Sequence, residues 1–408
     1  MNCRFCKSKL SHLLADLQNS PASNSYLNLS QTEDPEIYYP LKVMVCDNCF
    51  LAQVEEVKKK ETIFNDSYAY FSSYSTSWLL HCKDYVNEMI KRFKLNSDSS
   101  VIEIASNDGY LLQYFLSKNI PSLGIEPTSN TAKIAKEKGI ETLVNFFSTS
   151  LAEDLVTKRK KPTLIIGNNV LAHVPKLNDF VNGLKVLLAN NGVITMEFPH
   201  IVKLIDGNQF DTIYHEHFSY FSFTTVHKIF EYFGLEIFDV DEIKTHGGSL
   251  RIYAQHLNHK PYKPSPAVNK LIEYELKKGI KNLKYYKNFQ FKIFNAKIDL
   301  LSFIIDQNKL GKSIAGYGAA AKGNTLMNFC GIKKDLIKFV VDKNPEKLGK
   351  YMPASHIPIK NEEYLKISKP DYVIIFPWNL RNEITKQLSY IRDWNGKFVI
   401  PIPKLEIF

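Results

Sequence analysis

The sequence predicts an α/β protein in several domains, a small four-cysteine module followed by two nucleotide-binding-type α/β units. Three observations carry this. Two C-x-x-C pairs stand near the N-terminus, strand and helix patterns alternate from about residue 75 to 256, and a second strand, glycine turn and helix begins at SIAGYGAAAKGNTLMNFC. At 408 residues the chain exceeds one ordinary core, and its 44% apolar fraction suffices for globular folding.

Residues 1–65 hold CRFC and CDNC, a polar loop (QNSPASNSYLNLSQTEDPE) and few aliphatic runs. That is too little core to fold unaided. A zinc ion held by Cys3, Cys6, Cys46 and Cys49 would supply the missing stability, because the binding energy of a structural zinc is folding energy. The spacer of about 39 residues exceeds the usual zinc-ribbon spacing and implies a loop inserted between two knuckles. A redox C-x-x-C is the competing reading, but neither pair has the βαβ context that chemistry needs.

Residues 66–260 form the second unit. SSVIEIASNDG reads as a buried strand and turn, YLLQYFLSKN as a helix, PSLGIEPT as a strand and NTAKIAKEKG as a helix. Polar turns around TLVNFFS lead to a helix at SLAEDLVTK, the strand TLIIGNN, a helix at DFVNGLKVLLA and the strand GVITMEFPH. LEIFDVDEI and SLRIYAQH are two strands joined by the glycine turn KTHGG. Such alternation implies a parallel sheet covered by helices on both faces. Residues 261–408 open with a helical linker and continue as a second Rossmann-like unit through IKFVVDKNPEKLG and DYVIIFPWN.

A net charge of +10 is spread thinly along the chain, which suits anionic small ligands better than nucleic acid. No stretch approaches a membrane span and the N-terminus has no secretory pattern, so the expectation is a cytoplasmic protein that binds neither membrane nor nucleic acid. We expect a monomer.

The first glycine turn places Glu103, Asn107, Asp108 and Gly109 at the carboxyl end of a strand, where open α/β sheets bind ligands. The dinucleotide fingerprint is absent, since Ala105, Ser106 and Asn107 occupy its early positions. Glu126, about 20 residues on, can take both hydroxyls of a ribose. S-adenosylmethionine (SAM) has a ribose and no pyrophosphate, and fits. On these residues alone, a methyltransferase and another α/β enzyme both stay open.

In DTIYHEHFSYFS, Tyr214, His215, Glu216 and His217 stand side by side among aromatics. Metal binding, proton transfer and packing are the candidates. The HEH spacing of two differs from the spacing of H-E-x-x-H, which argues against a catalytic metal. On a strand Tyr214 and His217 would face opposite ways, whereas on a helical turn they share a face. Chemistry that needs both on one substrate therefore predicts a turn there, leaving His215 to packing.

GYGAAAKGNT is a second turn of a different character. Gly316 and Gly318 permit close backbone approach, the helix start offers N–H groups to a phosphate, and Lys322, Asn324 and Thr325 add donors. Asp342 after the next strand also suits a nicotinamide dinucleotide, and helix packing is a third explanation of the glycines.

The blocks CRFC, CDNC, YFSSYS, VIEIASNDG, GIEPT, NNVLAHV, EFPH, YHEHFSYFS, HGGSLR and GYGAAAKGNT, in this order over nearly the whole chain, resemble the nucleotide-sugar C-methyltransferase family. The resemblance implies a zinc-binding domain, a class I SAM methyltransferase domain of Rossmann-like fold and a C-terminal Rossmann-like domain. It implies methyl transfer to carbon 3 of a nucleoside-diphosphate-linked 4-keto-6-deoxy sugar after a base has removed the C3 proton. By similarity, His217 is the base with Tyr214 and Glu216 beside it, and Tyr68 and His173 are the other catalytic positions. Without the resemblance, Tyr68 is an aromatic packing residue and His173 a loop histidine.

SAM is then assigned to Glu103, Asn107, Asp108, Gly109, Glu126, Asn168 and Asn169. His246, Gly247, Ser249 and Arg251 face the sugar, and Gly316, Gly318, Lys322, Asn324, Thr325 and Asp342 hold the diphosphate, with Trp378 and Asn379 at the nucleobase. The zinc ligands are expected to lie apart from the chemistry. The rivals are a zinc-containing RNA methyltransferase, an NAD(P)-dependent sugar oxidoreductase built on the second glycine turn, and a catalytically silent binding protein.

Overall fold

The computed structural model describes residues 1–64 and 70–408. Strands β1 (His12–Ser20), β2 (Tyr39–Val45) and β3 (Ala52–Val54) form an antiparallel meander. Tight turns flank it, with Lys7 N–H on the Cys3 carbonyl (3.1 Å) and Phe50 N–H on the Cys46 carbonyl (2.9 Å). The sequence offered no core for this module, and the structure supplies one from elsewhere. Leu14, Leu17, Val43 and Val45 share an apolar cluster with Ile314, Met327 and Phe376 of the C-terminal unit.

After one turn of helix, α1 (Lys60–Ile63), comes α2 (Thr76–Phe93). Ser75 caps it by accepting the Trp78 N–H (3.3 Å), and Trp78, Cys82, Tyr85, Val86 and Met89 recur at helical spacing to make one buried face. The central unit then alternates as expected: β4 (Val101–Ile104), α3 (Leu112–Leu116), β5 (Ser122–Ile125), α4 (Ser129–Glu137), β6 (Thr142–Leu143), α5 (Thr149–Lys158), β7 (Leu164–Asn168), α6 (Leu177–Leu187) and β8 (Val193–Pro199). Two differences have physical causes. Helix α3 is short because residues 109–111 are taken up by the turn after β4, and residues 142–143, expected as turn, pair with β5 as an edge strand.

Beyond β8 the chain runs through α7 (Ile201–Asp206) and leaves the central sheet. Strand β9 (Ser219–Tyr220) pairs instead with β3 (Ala52 opposite Tyr220), making the fourth strand of the module's sheet. Helix α8 (Phe223–Tyr232) then leads to the hairpin β10 (Leu235–Ile243) and β11 (Ser249–His256). The central sheet has the order β10-β11-β8-β7-β4-β5-β6, parallel except at β10 and β11.

Helix α9 (Pro266–Lys278) begins with proline in its first turn and ends at Gly279 in the left-handed region. It docks on the central unit, where buried Glu275 accepts the N–H groups of Phe223 (2.6 Å) and Thr224 (2.7 Å) at the start of α8 and pairs with His200 (2.6 Å). Helix α10 (Phe289–Lys309) precedes β12 (Ile314–Tyr317), α11 (Ala321–Cys330), β13 (Val340–Val341), β14 (Ile359–Lys360), β15 (Tyr372–Ile375), β16 (Lys397–Ile400) and β17 (Glu406–Ile407). Their sheet runs β14-β13-β12-β15-β16-β17, with only β17 antiparallel. No helix among the described residues is long and apolar enough to cross a membrane.

Candidate active site

The turn after β4 takes left-handed backbone at Ala105 (φ 59°), Asn107 (φ 48°) and Gly109 (φ 75°). Non-glycine residues reach that region only under constraint, so the missing glycine fingerprint is replaced by a strained loop of similar shape. Glu126 supplies the constraint from the end of β5. One carboxylate oxygen accepts the Asn107 N–H (2.9 Å) and the other the Thr128 N–H (2.9 Å) and hydroxyl. The oxygen that faces Asn107 keeps a lone pair for a further donor such as a ribose hydroxyl, while the one that faces Thr128 already accepts two. Glu103 is wholly buried beneath the loop, and burial pushes its carboxyl well above the usual range.

Residues 70–74 lie over this loop, with the Ser72 N–H on Asn107 Oδ1 (2.9 Å) and the Ser73 N–H on Asp108 (3.3 Å). Asp108 Oδ1 and both amide atoms of Asn168, at the end of β7, are buried with no hydrogen-bond partner. Unsatisfied groups at the carboxyl edge of a parallel sheet fit a polar ligand in that place. Gly109 has no room for a side chain, since a Cβ would lie 2.3 Å from Ile140 Cδ1. Gly109→Ala is expected to cost about 1–3 kcal/mol of stability and to weaken SAM binding at least tenfold, checked by thermal unfolding and calorimetric titration.

Residues 214–217 form a turn, with the His217 N–H on the Tyr214 carbonyl (2.9 Å). Tyr214 and His217 therefore meet: their ring centroids are 3.9 Å apart and the Tyr214 hydroxyl lies 2.8 Å from His217 Nε2. His217 Nδ1 faces the Thr212 carbonyl at 2.9 Å. A carbonyl only accepts, so Nδ1 carries the proton and Nε2 presents its lone pair. Burial holds the imidazole well below its ordinary pKa, helped by repulsion from His173, Lys322 and His246. The ring of His173, in the loop after β7, is 4.7 Å from that of His217, and burial lowers it to about 4.

His246 Nε2 accepts from the Asn169 amide (3.1 Å), and its ring lies 5.2 Å from that of Trp78. From the C-terminal unit, Lys322 donates to Asn379 Oδ1 (2.7 Å) with its ammonium 4.7 Å over the Trp378 ring. Trp378 Nε1 donates to the buried carboxylate of Asp211 (2.7 Å). Thus Tyr214, His217, His173, His246, Asn169, Lys322, Trp378 and Asn379 converge on one region. Tyr68 lies outside the described residues.

Other expected residues are engaged elsewhere. Arg251 is buried, binds Glu197 (2.6 Å) and Glu88 (3.1 Å), and shares Glu197 with His81, so an ion network rather than a sugar occupies its donors. Ser249 donates to the Thr245 carbonyl (3.0 Å), and Gly247 is required because a Cβ would meet Trp378 at 2.5 Å. Gly316 and Gly318 leave space for Phe376 and Pro377, each 2.5 Å from the Cβ position, so packing accounts for both. Asn324 donates to the Ser23 carbonyl (2.5 Å), Thr325 to the Ile213 carbonyl (3.0 Å), and Asp342 faces Lys347 at 3.9 Å.

Glu216 turns to the zinc module, where Asn24 Nδ2 (3.0 Å) and Ser23 Oγ (3.4 Å) donate to its carboxylate. Burial pushes it up to about 7. An unfolded glutamate titrates near 4.3. Between those pH values the folded chain keeps a proton that the unfolded chain has lost, so stability falls as pH rises through this window and stays low above it. Glu216→Gln is expected to stabilise the protein at pH 8 by up to about 3 kcal/mol and to change little at pH 4.5. Equal melting shifts at both pH values would refute this.

Sequence reasoning missed Asp211, Thr212, Trp78, His81 and the loop of residues 20–28. The first two open the aromatic stretch that carries the histidines, which was their only signal. The loop reads as polar filler, yet Ser20, Ala22 and Ser23 are buried and the Tyr26 hydroxyl donates to the Ala319 carbonyl of the second glycine turn (2.5 Å).

The four cysteine Sγ atoms lie within 4.8 Å of one another, with Cys3–Cys49 and Cys6–Cys46 both at 3.4 Å. A tetrahedral ion with sulfur ligands at about 2.3 Å fits that cluster.

Three family profiles match the chain in succession: a zinc binding domain at residues 3–64, a methyltransferase domain at 79–240 and a C-methyltransferase C-terminal domain at 244–403. The C-methyltransferase NovU of Streptomyces niveus is 31% identical over 402 residues, covering 98% of this chain and 95% of that protein. Among solved structures, the PH0226 protein from Pyrococcus horikoshii OT3 aligns at 13% identity over 46% of this chain and 95% of its own, with a TM-score of 0.38. Magnesium protoporphyrin IX methyltransferase from Synechocystis PCC 6803 with bound SAM aligns at 14% identity over 43% of this chain and 78% of its own, with a TM-score of 0.34.

Proposed function

This chain belongs to the C-methyltransferase family, as a SAM-dependent enzyme with a class I methyltransferase fold and a zinc-binding module, and from that premise we propose that it methylates carbon 3 of a nucleoside-diphosphate-linked 4-keto-6-deoxy sugar. The observation that carries the reading is the tautomer of His217. Its Nδ1–H is fixed on the Thr212 carbonyl and its unprotonated Nε2 meets the Tyr214 hydroxyl, with the imidazole buried. An unprotonated imidazole fixed in this way is a base.

Bound SAM supplies an electrophilic methyl on its sulfonium. His217 takes the C3 proton, and the electron pair of that C–H bond moves toward the C4 carbonyl as an enolate. Tyr214 releases Nε2 to the substrate and donates its hydroxyl to the C4 oxygen, with the Lys322 ammonium as the nearby cation. Donors aimed at such an oxygen are worth roughly 2.7–4 kcal/mol each. The turn after β4 and Glu126 would hold SAM, which supplies the methyl for the new C–C bond and leaves as the neutral thioether, while His217 retains the proton until product leaves. In this reading residues 1–65 buttress the catalytic turn, 66–260 hold SAM and the base, and 261–408 hold the nucleotide, with α9 docked on the middle segment. Glu216 and Arg251 act through the structure around the site. The cover that Tyr26 places on the second glycine turn speaks against a dinucleotide there.

The test is incubation with [methyl-13C]SAM and a panel of 4-keto-6-deoxyhexoses carried on dTDP, UDP, GDP and CDP, followed by NMR of the products. A label on C3 supports the proposal. A label on oxygen or nitrogen, or transfer to RNA instead, overturns it.

A further inference from the structure

We propose that Trp378 and Asp211 form a latch through which the C-terminal unit positions the His217 imidazole. This rests on the reading of His217 as the base. Asp211 lies on the single helical turn Phe210–Thr212, whose last carbonyl accepts the His217 Nδ1–H at 2.9 Å. Any rotation of that turn moves the carbonyl and with it the plane of the imidazole. Three contacts from the C-terminal unit hold the turn. The indole N–H of Trp378 reaches Asp211 Oδ2 at 2.7 Å, the Thr325 hydroxyl reaches the Ile213 carbonyl at 3.0 Å, and Phe329 meets Phe210 edge-to-face at 5.7 Å.

The Trp378 side chain cannot drift within this arrangement. Its ring fills the space that a Cβ on Gly247 would need, and the Lys322 ammonium lies 4.7 Å over it. One indole thus touches the turn after β10, the start of α11 and the segment that carries the base. Asp211 is 1% exposed, and a buried carboxylate that loses a donor relaxes toward another one. Separation of the two units would therefore break the bond that orients the Thr212 carbonyl. Trp378 and Asp211 are positioning residues, and the base is competent only with the C-terminal unit engaged.

Trp378→Phe keeps an aromatic ring at this position and removes the N–H together with part of the indole. In the full-length variant, amide hydrogen exchange at Ile213 and His217 should accelerate at least tenfold, while protection in β4 and β7 stays as in the parent. With the panel sugar that accepts methyl, kcat should fall roughly 10²-fold, as for an imperfectly placed catalytic group, with the Kd for SAM within twofold of the parent. Asp211→Asn, whose amide oxygen still accepts the indole proton, should recover most of the loss produced by Asp211→Leu. Unchanged exchange at Ile213 and His217 in Trp378→Phe overturns the latch whatever the turnover. Equal losses in Asp211→Asn and Asp211→Leu overturn it as well. Full turnover in a His217→Asn variant would instead strike the base assignment and leave the exchange result standing, so the two failures are distinguishable.

Discussion

Replacing His217 by Asn is expected to lower methyl transfer by roughly 10²–10⁴-fold, the usual contribution of a positioned general base, with SAM affinity within twofold of the parent. Asn is a demanding substitution because its amide can still donate to the Thr212 carbonyl, which His217 Nδ1 meets at 2.9 Å. It lacks the ring and with it the basic nitrogen. The pH dependence is a second check. Burial lowers His217 well below its ordinary value, so the base is already unprotonated throughout the range in which a free histidine would titrate. The kcat/KM profile should therefore show no acid limb near pH 6.5 from this group. Stability behaves differently. His173 and His246 are both lowered to about 4 by burial, and His217 also lies below its unfolded value. Their contribution is complete above the unfolded histidine pKa of about 6.5 and is lost as pH falls from there toward the folded values. Activity at pH 6 should thus outlast what a solvent histidine allows, while the histidines' share of the stability is already declining against the opposite trend from Glu216. An unchanged turnover number in the Asn variant removes the proposed mechanism.

The central α/β unit was legible because each strand is short, apolar and followed by a turn and an amphipathic helix, as in VIEIASNDG and NTAKIAKEKG. The hairpin LEIFDVDEI and SLRIYAQH has strands over those very residues, with the glycine turn between them. The zinc ligands were legible from spacing alone, and the turn at 214–217 followed from asking that Tyr214 and His217 meet. What the sequence concealed is how the units pack against one another. A polar loop gives no periodic signal that Ser23 will close on α11 and Tyr26 on the turn before it. Nor does a serine-tyrosine pair reveal that Ser219 and Tyr220 will desert their own sheet for β3. The donors of Arg251, Asn324 and Thr325 looked free in sequence because their partners, Glu197, Ser23 and Ile213, are tens to hundreds of residues away. Glycines misled for the same reason. Gly316 and Gly318 match a phosphate turn in pattern, while the atoms that require them belong to Phe376 and Pro377.

Loss of zinc, by chelation or by Cys46→Ser, is expected to abolish most turnover, by 10²-fold or more, while SAM still binds. Binding of a structural zinc contributes about 10–16 kcal/mol to the fold of a small module, and this module has little core of its own to replace it. The expectation from the sequence is that the zinc ligands lie apart from the chemistry. The structure joins them. Strand β9 begins two residues beyond His217 and has β3 as its pairing partner. Phe218, next to the base, gives its carbonyl to Arg4 Nη1 (3.0 Å) and to the Val54 N–H (3.0 Å), and Arg4 stands between two zinc ligands in sequence. Thr225 donates to the Cys49 carbonyl (3.1 Å), and Asn24 holds Glu216. Removing the metal frees these contacts together, so the chain from 216 to 225 loses its anchors on one side and the imidazole loses its fixed place. The opposite face of the central sheet, with Val101, Leu164, Ile166 and Val193, packs on α2 in a core that holds no residue of the module, which is why SAM affinity survives. Thermal unfolding should then split into two transitions, with the early one concentration-dependent on added zinc. A zinc-free variant with parental turnover would show that the module and the catalytic turn are independent, and the coupling argued from β9 would be wrong.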